Sequence, residues 1–272
     1  NFINFYIIHI HVMDKNFILF LILFTLFCVF FINRTVYVRR IKLEKISDFY
    51  KYIEEGFPII LSSSSVTIPD DSPFLNLTDH DILNQVGQDE MIYVESSDTK
   101  IFAPEDPNSK AKKEQMRLKD FISNYKKKNL YWAERDLPNK LNIKNPKIGK
   151  CFEKLNLKLE KKYIFMGHNG NITRTHWDDV FNLITLYRGK KKITLFNPTD
   201  LDYLYLNDSY SDVDIENINY FKHPLAIFAT KYIANLNPGE ILYIPYKWFH
   251  HVKSFDDNLA VSLWYSNSSE KY

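Results

Sequence analysis

The hydrophobic pattern changes character near the middle of the chain. In the first half, apolar residues recur at helical spacing and predict helices over residues 49–55, 79–87, 109–128 and 151–158. Two short apolar runs in the same half predict strands over residues 57–62 and 91–95. After Lys162 the apolar residues are largely β-branched or aromatic and stand in short segments between glycine-containing turns. The second half therefore predicts a β-sandwich or barrel.

The segment from residue 200 to 220 is rich in Tyr, Asp and Asn and lacks clear periodicity. We interpret it as a long loop or insertion at the mouth of the β core, where long loops often carry function. The whole chain then divides into an N-terminal segment, residues 1–44, and one domain, residues 45–272. Within that domain, residues 45–162 mix helices with strands and residues 163–266 form the β core.

An apolar run over residues 17–32 dominates the N-terminal segment. Basic residues follow it between positions 34 and 42 without a small-residue cleavage site, so we expect a single-pass membrane anchor. The basic flank predicts that the domain faces the cytosol. The alternative is an ER-luminal or secretory domain, in which sequons at Asn76 and Asn267 would be usable. Met13 is the first plausible start, so residues 1–12 are expected to be an upstream artefact.

Composition supports a folded domain, because 45% of the 272 residues are apolar. The net charge of +2 hides an uneven distribution. Residues 110–162 hold 17 Lys or Arg against 6 Asp or Glu, whereas residues 200–220 hold six acids and no Lys or Arg. We interpret the basic region as solvated helix faces, with nucleic acid as a less favoured partner. The two cysteines, Cys28 and Cys151, argue against a disulfide framework and a cysteine-based zinc site.

Candidate chemistry begins with His176 and Asp178, which are separated by one residue. If this segment is extended, both side chains point to the same face, and Asn182 shares their parity. A histidine and a carboxylate on one face, completed by a distant second histidine, form the facial triad that holds Fe(II) with open positions. A His-x-Asp pair is common by chance, so the second histidine needs support of its own.

That support lies in the late block PGEILYIPYKWFHH, residues 238–251. It predicts a turn, an apolar strand and an aromatic pair that leads into His250 and His251. Adjacent residues of a strand face opposite sides, so one of the two histidines points inward unless a bulge intervenes.

Together these segments resemble the JmjC family of cupin oxygenases, especially its small protein-hydroxylase members. The resemblance covers about residues 45–266 and implies a mainly β fold with flanking helices, a double-stranded β-helix or jelly roll. It implies that His176, Asp178 and His250 are the iron ligands and that His251 faces away.

The resemblance also implies a binding site for 2-oxoglutarate. Lys191 matches the family's partner for the distal carboxylate, a position where a positive group is needed. The other matching positions are a hydroxyl, an amide and a phenol near the cosubstrate, namely Thr173, Asn182 and Tyr131. Ser262 departs from the pattern, because it stands where members of the family place an asparagine.

The implied function is an Fe(II)- and 2-oxoglutarate-dependent dioxygenase that uses O2 to hydroxylate a side chain of a protein or peptide substrate. The same chemistry leaves lysine demethylation and RNA-base hydroxylation as alternatives. A further alternative is a non-catalytic, membrane-tethered cupin binding module. The usual mark of such a module is a lost metal ligand or a lost cosubstrate lysine, and neither is lost here. Nothing in the sequence specifies an oligomeric state.

Overall fold

The computed structural model describes residues 15–26, 34–68, 75, 77–103, 106, 109–135, 138, 140–141 and 143–267. Within these residues the chain is mainly β. The helices labelled here are α1 (Phe49–Glu55), α2 (Asp79–Val86), α3 (Leu118–Asn124) and α4 (Gly149–Lys154). Residues 15–26 are also helical, and 3-10 turns lie at Ile46–Asp48, Pro198–Tyr203 and Pro224–Phe228.

Strands fall into an early set and a late set along the chain. The early strands are β1 (Thr35–Tyr37), β2 (Arg40–Ile41), β3 (Ile59–Leu61), β4 (Met91–Ser96), β5 (Lys112–Arg117) and β6 (Leu130–Arg135). The late strands are β7 (Lys158–Gly167), β8 (Ile172–His176), β9 (Phe181–Phe196), β10 (Leu206–Asn207), β11 (Tyr210–Ser211), β12 (Lys231–Leu236), β13 (Ile241–Ile244) and β14 (Phe249–Ser266).

Two long strands, β9 and β14, run through both layers of the sheet and pair with each other along most of their length. The larger layer has the strand order β2-β3-β13-β9-β14-β7-β6-β4-β5. The smaller layer forms where β9 continues beside β12 and β14 continues beside β8, which in turn pairs with β11. Because the same two strands bend from one layer into the other, the layers enclose a shared interior. This arrangement is the jelly roll predicted from the sequence.

Side chains alternate between the two faces of the larger layer. Along β9, Leu183 belongs to a core shared with the helices, whereas Ile184 and Leu186 belong to the core between the layers. The helix-side core includes Phe49 of α1 and Phe121 of α3, both fully buried. The helices therefore cover the outer face of the larger layer and leave its inner face for the candidate site.

β9 bends at Gly189, between its pairing with β13 and its pairing with β12. The φ of Gly189 is +77°, and a Cβ at this position would lie 2.6 Å from the carbonyl oxygen of Asp257. The register between β9 and β14 shifts at the same place. Before the bend, even-numbered residues of β9 face the core between the layers, and after it odd-numbered residues do. Asn182 and Lys191 therefore both point to that core.

Residues 109–128 do not form the single helix that their apolar spacing predicted. Lys112–Arg117 form β5, the terminal strand of the larger layer, and only Leu118–Asn124 are helical. β5 pairs with β4 along its whole length. Pairing with a neighbouring strand overrides the helical preference of this polar segment, and periodicity alone does not reveal such a long-range partner.

The other predicted elements of the first half are present. Residues 49–55 form α1, residues 79–86 form α2, and the helix predicted over 151–158 occurs as α4, shifted towards the N-terminus. Both early strands are present as β3 and β4. The segment 200–220 is not wholly irregular, because it contains the short hairpin of β10 and β11, which connects to β8.

The predicted single-pass membrane anchor is wrong. Within the described parts of the chain, no helix has both the length and the apolar character needed to cross a bilayer. Residues 17–26 of the predicted span are helical, and residues 27–32 lie outside the described residues. The predicted cytosolic orientation was derived from the basic flank of that anchor and is withdrawn with it. Residues 1–12, Met13 and Asn76 lie outside the described residues.

Candidate metal and cosubstrate site

His176, Asp178 and His250 converge on the inner side of the jelly roll, with one potential ligand atom from each within 4.8 Å of the others. Asp178 Oδ2 lies 3.4 Å from His250 Nε2, and Asp178 Oδ1 lies 3.9 Å from His176 Nε2. His176 ends β8 directly opposite His250 at the start of β14, and Asp178 follows in the connection to β9. Two imidazoles and one carboxylate form a donor set that suits Fe(II) and leaves positions open.

Hydrogen bonds to the backbone orient both imidazole rings. His176 Nδ1 lies 2.8 Å from the Arg174 carbonyl oxygen, and His250 Nδ1 lies 3.1 Å from the Trp248 carbonyl oxygen. Donation by Nδ1–H leaves the Nε2 lone pair free on the side of the carboxylate, which is the tautomer a metal ligand needs. Burial lowers the pKa of His250 to about 4, and the neighbouring His176 adds to the shift. The donor set therefore fits a divalent metal.

A bulge in β8 brings Thr173 and His176 to the same cavity. Residues three apart point to opposite faces of a regular strand. Here His250 lies opposite His176 and Val252 lies opposite Thr173, so β8 advances three residues where β14 advances two. Thr173 and His176 consequently line one cavity of about 760 Å³ together with Tyr131.

Lys191 is a buried lysine that forms no ion pair with a carboxylate in the described part of the chain. Its side chain is 3% exposed, and Nζ donates a hydrogen bond to Ser254 Oγ at 2.7 Å. Nζ also lies 5.8 Å from the centre of the Tyr131 ring. No carboxylate of a described residue forms an ion pair with it, and burial lowers the pKa of Lys191 to about 7. Because a buried ammonium is costly without a counter-charge, this position is suited to an anionic ligand.

Tyr131 connects Lys191 to the metal side of the site. It is 4% exposed, and its ring lines the cavity that His176 also lines. Burial raises the pKa of the Tyr131 phenol, nearby Glu95 raises it further, and a hydrogen bond with Thr173 opposes the shift. The phenol therefore remains protonated at neutral pH and can donate to an oxyanion.

Asn182 and Ser262 lie behind the cavity wall and not on its surface. Ser262 Oγ donates to Asn182 Oδ1 at 2.5 Å, and Trp264 Nε1 donates to Ser262 Oγ at 3.0 Å. Of these three residues, only Trp264 lines the cavity. The structure therefore joins the two predicted residues to each other and connects them to the site through an indole.

His251 points away from the triad. It lines a separate cavity of about 570 Å³ on the other side of β14, together with Thr175 and Glu216. The side chain is 4% exposed, and burial lowers the pKa of His251 to about 4. The alternation of adjacent strand residues explains why the two neighbouring histidines serve different cavities.

Two residues near the site escaped the sequence analysis. Ser254 accepts a hydrogen bond from Lys191. The sequence could have indicated Ser254, because it follows His250 by four residues and therefore lies on the same face of the strand. Tyr210 lies opposite His176 in β11, with its ring 5.6 Å from the imidazole. Tyr210 belongs to the aperiodic segment 200–220, so no pattern in the sequence indicated it.

Comparison with known proteins places this geometry in a family. The model of the family described as "Cupin-like domain" matches residues 47–271. The tRNA wybutosine-synthesizing protein 5 of Mus musculus is 42% identical over 100 residues, which are 36% of this chain and 32% of that protein. The lysine-specific demethylase JMJ30 of Arabidopsis thaliana is 35% identical over 117 residues, 41% of this chain and 27% of that protein.

A third relative is the Jumonji C domain-containing protein 5 of Drosophila melanogaster. It is 33% identical over 106 residues, which cover 37% of this chain and 26% of that protein. The matched segments thus span about a third or less of the length of these curated relatives. The family model, in contrast, covers most of this chain. The chain therefore belongs to the family of cupin-like domains, with relatives that include proteins named for the Jumonji C domain.

Proposed function

We propose that this chain is an Fe(II)- and 2-oxoglutarate-dependent dioxygenase. The observation that carries the proposal is the pairing, in one interior, of a His-Asp-His metal set with a buried lysine that has no carboxylate partner among the described residues. A dicarboxylate with a 2-oxo group needs a metal for its chelating end and a cation for its distal end. Tyr131 lines the cavity that His176 and Asp178 also line, and the centre of its ring lies 5.8 Å from Lys191 Nζ.

The proposed roles follow from position and chemistry. His176, Asp178 and His250 would hold the metal. When bound, Fe(II) with 2-oxoglutarate and O2 supplies an oxidation in which a substrate C–H becomes C–OH while 2-oxoglutarate becomes succinate and CO2. Lys191 pairs with the distal carboxylate of 2-oxoglutarate. The hydroxyl and phenol that line the same cavity, Thr173 and Tyr131, donate hydrogen bonds to it.

Asn182 and Ser262 act differently in this proposal from the direct contacts that the resemblance implied. Since both lie behind the wall, they position Trp264 through the hydrogen bond to its indole. A rigid wall excludes water from the space beside the metal set, which strengthens the electrostatic contacts inside.

The sequence favoured a protein side chain, with a lysine demethylase or an RNA-base hydroxylase as alternatives. The names of the relatives point to tRNA in one case and to lysine in another, so relationship alone selects neither.

Turnover of 2-oxoglutarate without substrate tests the reaction class. The purified chain is mixed with Fe(II), 2-oxoglutarate and O2, and succinate is measured. We expect oxygen-dependent succinate from the wild type and little from Asp178→Ala, which removes the carboxylate of the metal set. His251→Ala is the matched control and should retain most of the rate. A wild-type rate no higher than that of Asp178→Ala would favour the non-catalytic binding module instead.

A further inference from the structure

Asn171 carries a buried amide near the cosubstrate lysine. Its side chain is 4% exposed, and Nδ2 has no hydrogen-bond partner among the described residues. A buried N–H group without a partner lowers stability, and most such groups in folded proteins are paired. The Asn171 amide is therefore available to an acceptor that enters the site.

Ser254 connects Asn171 to Lys191. The backbone N–H of Ser254 donates to the Asn171 carbonyl oxygen at 2.9 Å, and the Gly170 N–H donates to the Ser254 carbonyl oxygen at the same distance. The hydroxyl of this serine accepts a hydrogen bond from Lys191 Nζ at 2.7 Å. Asn171 and Lys191 therefore contact the same residue of β14.

The direction of β8 places Asn171 farther from the metal set than Thr173. Asn171 precedes Thr173 by two residues, so in an extended segment the two side chains face the same side. His176 ends β8 at the metal set, and Asn171 directly precedes the strand at its other end. The order along the strand is therefore the metal ligand, the hydroxyl of Thr173 and then the amide of Asn171.

The missing side chain of Gly167 leaves room for this amide. A Cβ at Gly167 would overlap Asn171 Nδ2 and would lie 2.6 Å from Tyr131 Cδ2. The amide nitrogen and the edge of the tyrosine ring therefore lie against the same point above Gly167. The centre of that ring is 5.8 Å from Lys191 Nζ. Asn171, Tyr131 and Lys191 thus form one cluster.

We propose that Asn171 binds the distal carboxylate of 2-oxoglutarate by donating a hydrogen bond from Nδ2, beside the ammonium of Lys191. This inference rests on the proposed function, because it adds a contact to the cosubstrate of that site. A carboxylate offers about four lone-pair positions, more than Lys191, Thr173 and Tyr131 fill with one hydrogen bond each. A neutral N–H donor supports the anion without the desolvation cost of a second buried charge.

Asn258 offers a matched comparison, because it flanks Gly167 from the opposite strand. It lies directly across from Gly167 in the β7–β14 ladder and is 0% exposed. Its unpaired atom is the acceptor Oδ1, whereas its Nδ2 donates to the Asp256 carbonyl oxygen at 3.4 Å. A carbonyl oxygen repels a carboxylate, so this amide does not supply the same contact.

Calorimetric titration with 2-oxoglutarate tests the proposal on the intact 272-residue chain loaded with Zn(II), a redox-inert stand-in for iron. Asn171→Leu nearly preserves the size of the side chain but removes the donor. It should bind 2-oxoglutarate at least about tenfold more weakly, as expected for a lost hydrogen bond to a charged group. Asn258→Leu makes the same change across Gly167 and should bind nearly as the wild type does.

Urea unfolding without ligand separates binding from packing. Asn171→Leu should be at least as stable as the wild type, because leucine removes an unpaired buried polar group. If the variant loses stability as well as affinity, Asn171 supports the fold and the inference is overturned.

The side-chain amide signals provide a direct readout by nuclear magnetic resonance. In a chain with isotope-labelled asparagine, the signals of Asn171 and Asn258 are assigned by their absence from the two leucine variants. Because Zn(II) has no unpaired electrons, both remain observable. Addition of 2-oxoglutarate should move the Asn171 amide proton downfield, as a hydrogen bond to an anion does, and should move that of Asn258 much less.

Two further results would overturn the inference and leave the dioxygenase in place. One is equal affinity of the wild type and Asn171→Leu for 2-oxoglutarate. The other is an equal loss of affinity in Asn171→Leu and Asn258→Leu. Absence of 2-oxoglutarate binding by the wild type would instead count against the proposed function itself, and the inference would fail with it.

Discussion

Burial of Lys191 lowers the stability of the folded chain, although we propose that this residue binds the cosubstrate. Burial lowers its pKa from 10.5 to about 7. Below about pH 7 the folded chain must carry a buried charge, whereas between about pH 7 and 10.5 only the unfolded chain keeps the proton. The folded state thus pays its full penalty below pH 7, and the penalty is relieved as the pH rises towards 10.5.

Replacing Lys191 with methionine should therefore stabilise the chain most at low pH. The free energy of unfolding of Lys191→Met should exceed that of the wild type by a margin that shrinks between about pH 6.5 and pH 9.5. Urea unfolding followed by circular dichroism at both pH values measures the margin. An equal margin at the two values would mean that this lysine does not titrate as a buried, unpaired group.

The same variant should lose the cosubstrate. Without the ammonium, the distal carboxylate of 2-oxoglutarate has no cation, so calorimetric titration of Lys191→Met with 2-oxoglutarate should show at least about tenfold weaker binding, as expected for a lost charge-assisted contact. Lys192→Met is the matched control, because Lys192 is the next residue of β9 and faces the other side. Equal losses in both variants would remove the special role of Lys191.

The two adjacent histidines of β14 give a direct test of the metal set. His250 faces Asp178, whereas His251 lines the separate cavity. We expect His176→Ala and His250→Ala to abolish tight binding of Co(II), used as a spectroscopic stand-in for iron, and His251→Ala to bind it nearly as the wild type does. Retained binding in His250→Ala with loss in His251→Ala would reassign the third ligand.

At the scale of one residue, short sequence motifs were enough to propose candidate ligands where side chains alternate regularly along a strand. The positions of His176, Asp178 and His250 could be anticipated because each belongs to a short motif. Thr173 could be proposed only from the resemblance. It lies three residues before His176, so a regular strand would place the two side chains on opposite faces, and the sequence does not reveal the bulge in β8 that brings them together. Asn182 and Ser262 were expected at the cosubstrate, but packing of Trp264 in front of them is a long-range effect that no local pattern records.

Among the elements, the bend of β9 at Gly189 connects stability to the site. The bend sets the face of Lys191, two residues later, and a Cβ at Gly189 would press on the backbone of Asp257 and Asn258. Gly189→Ala should lower the free energy of unfolding by about 1–3 kcal/mol, the range for a strained non-glycine φ. It should also weaken 2-oxoglutarate binding. Both are measurable by urea unfolding and calorimetric titration.

Gly56→Ala separates backbone strain from the clash. Gly56, which follows α1, also has a positive φ, +66°, but nothing lies within 4 Å of a Cβ built there. Its substitution should cost less than that of Gly189 and leave cosubstrate binding unchanged. If the two variants lose equal stability and Gly189→Ala binds 2-oxoglutarate normally, the bend does not position Lys191.

The elements also show where periodicity misleads. The strands after Lys162 were predicted as a group because their residues are β-branched or aromatic. β5 was assigned to a helix, since its sequence KKEQMR is polar and its strand character depends on β4, more than fifteen residues earlier. The hairpin of β10 and β11 is similarly specified by its contact with β8 and not by its own pattern.

For the whole molecule, the jelly roll and the site depend on the same two strands. β14 supplies His250 and Ser254 in the smaller layer and Trp264 in the larger one, while β9 supplies Lys191. The succession of short strands predicted a sandwich or barrel, and the resemblance to a known family narrowed that prediction to a jelly roll. The anchor could not be judged from sequence alone, because an apolar run of this length lies close to the limit for a membrane span.

Anaerobic absorption spectroscopy tests the dioxygenase assignment most directly. The chain is titrated with Fe(II) and then with 2-oxoglutarate in the absence of oxygen. We expect a visible charge-transfer band that needs both components, does not form with succinate, is absent from Asp178→Ala and requires far more 2-oxoglutarate in Lys191→Met than in Lys192→Met. No band in the wild type, together with no succinate after oxygen is admitted, would contradict the assignment.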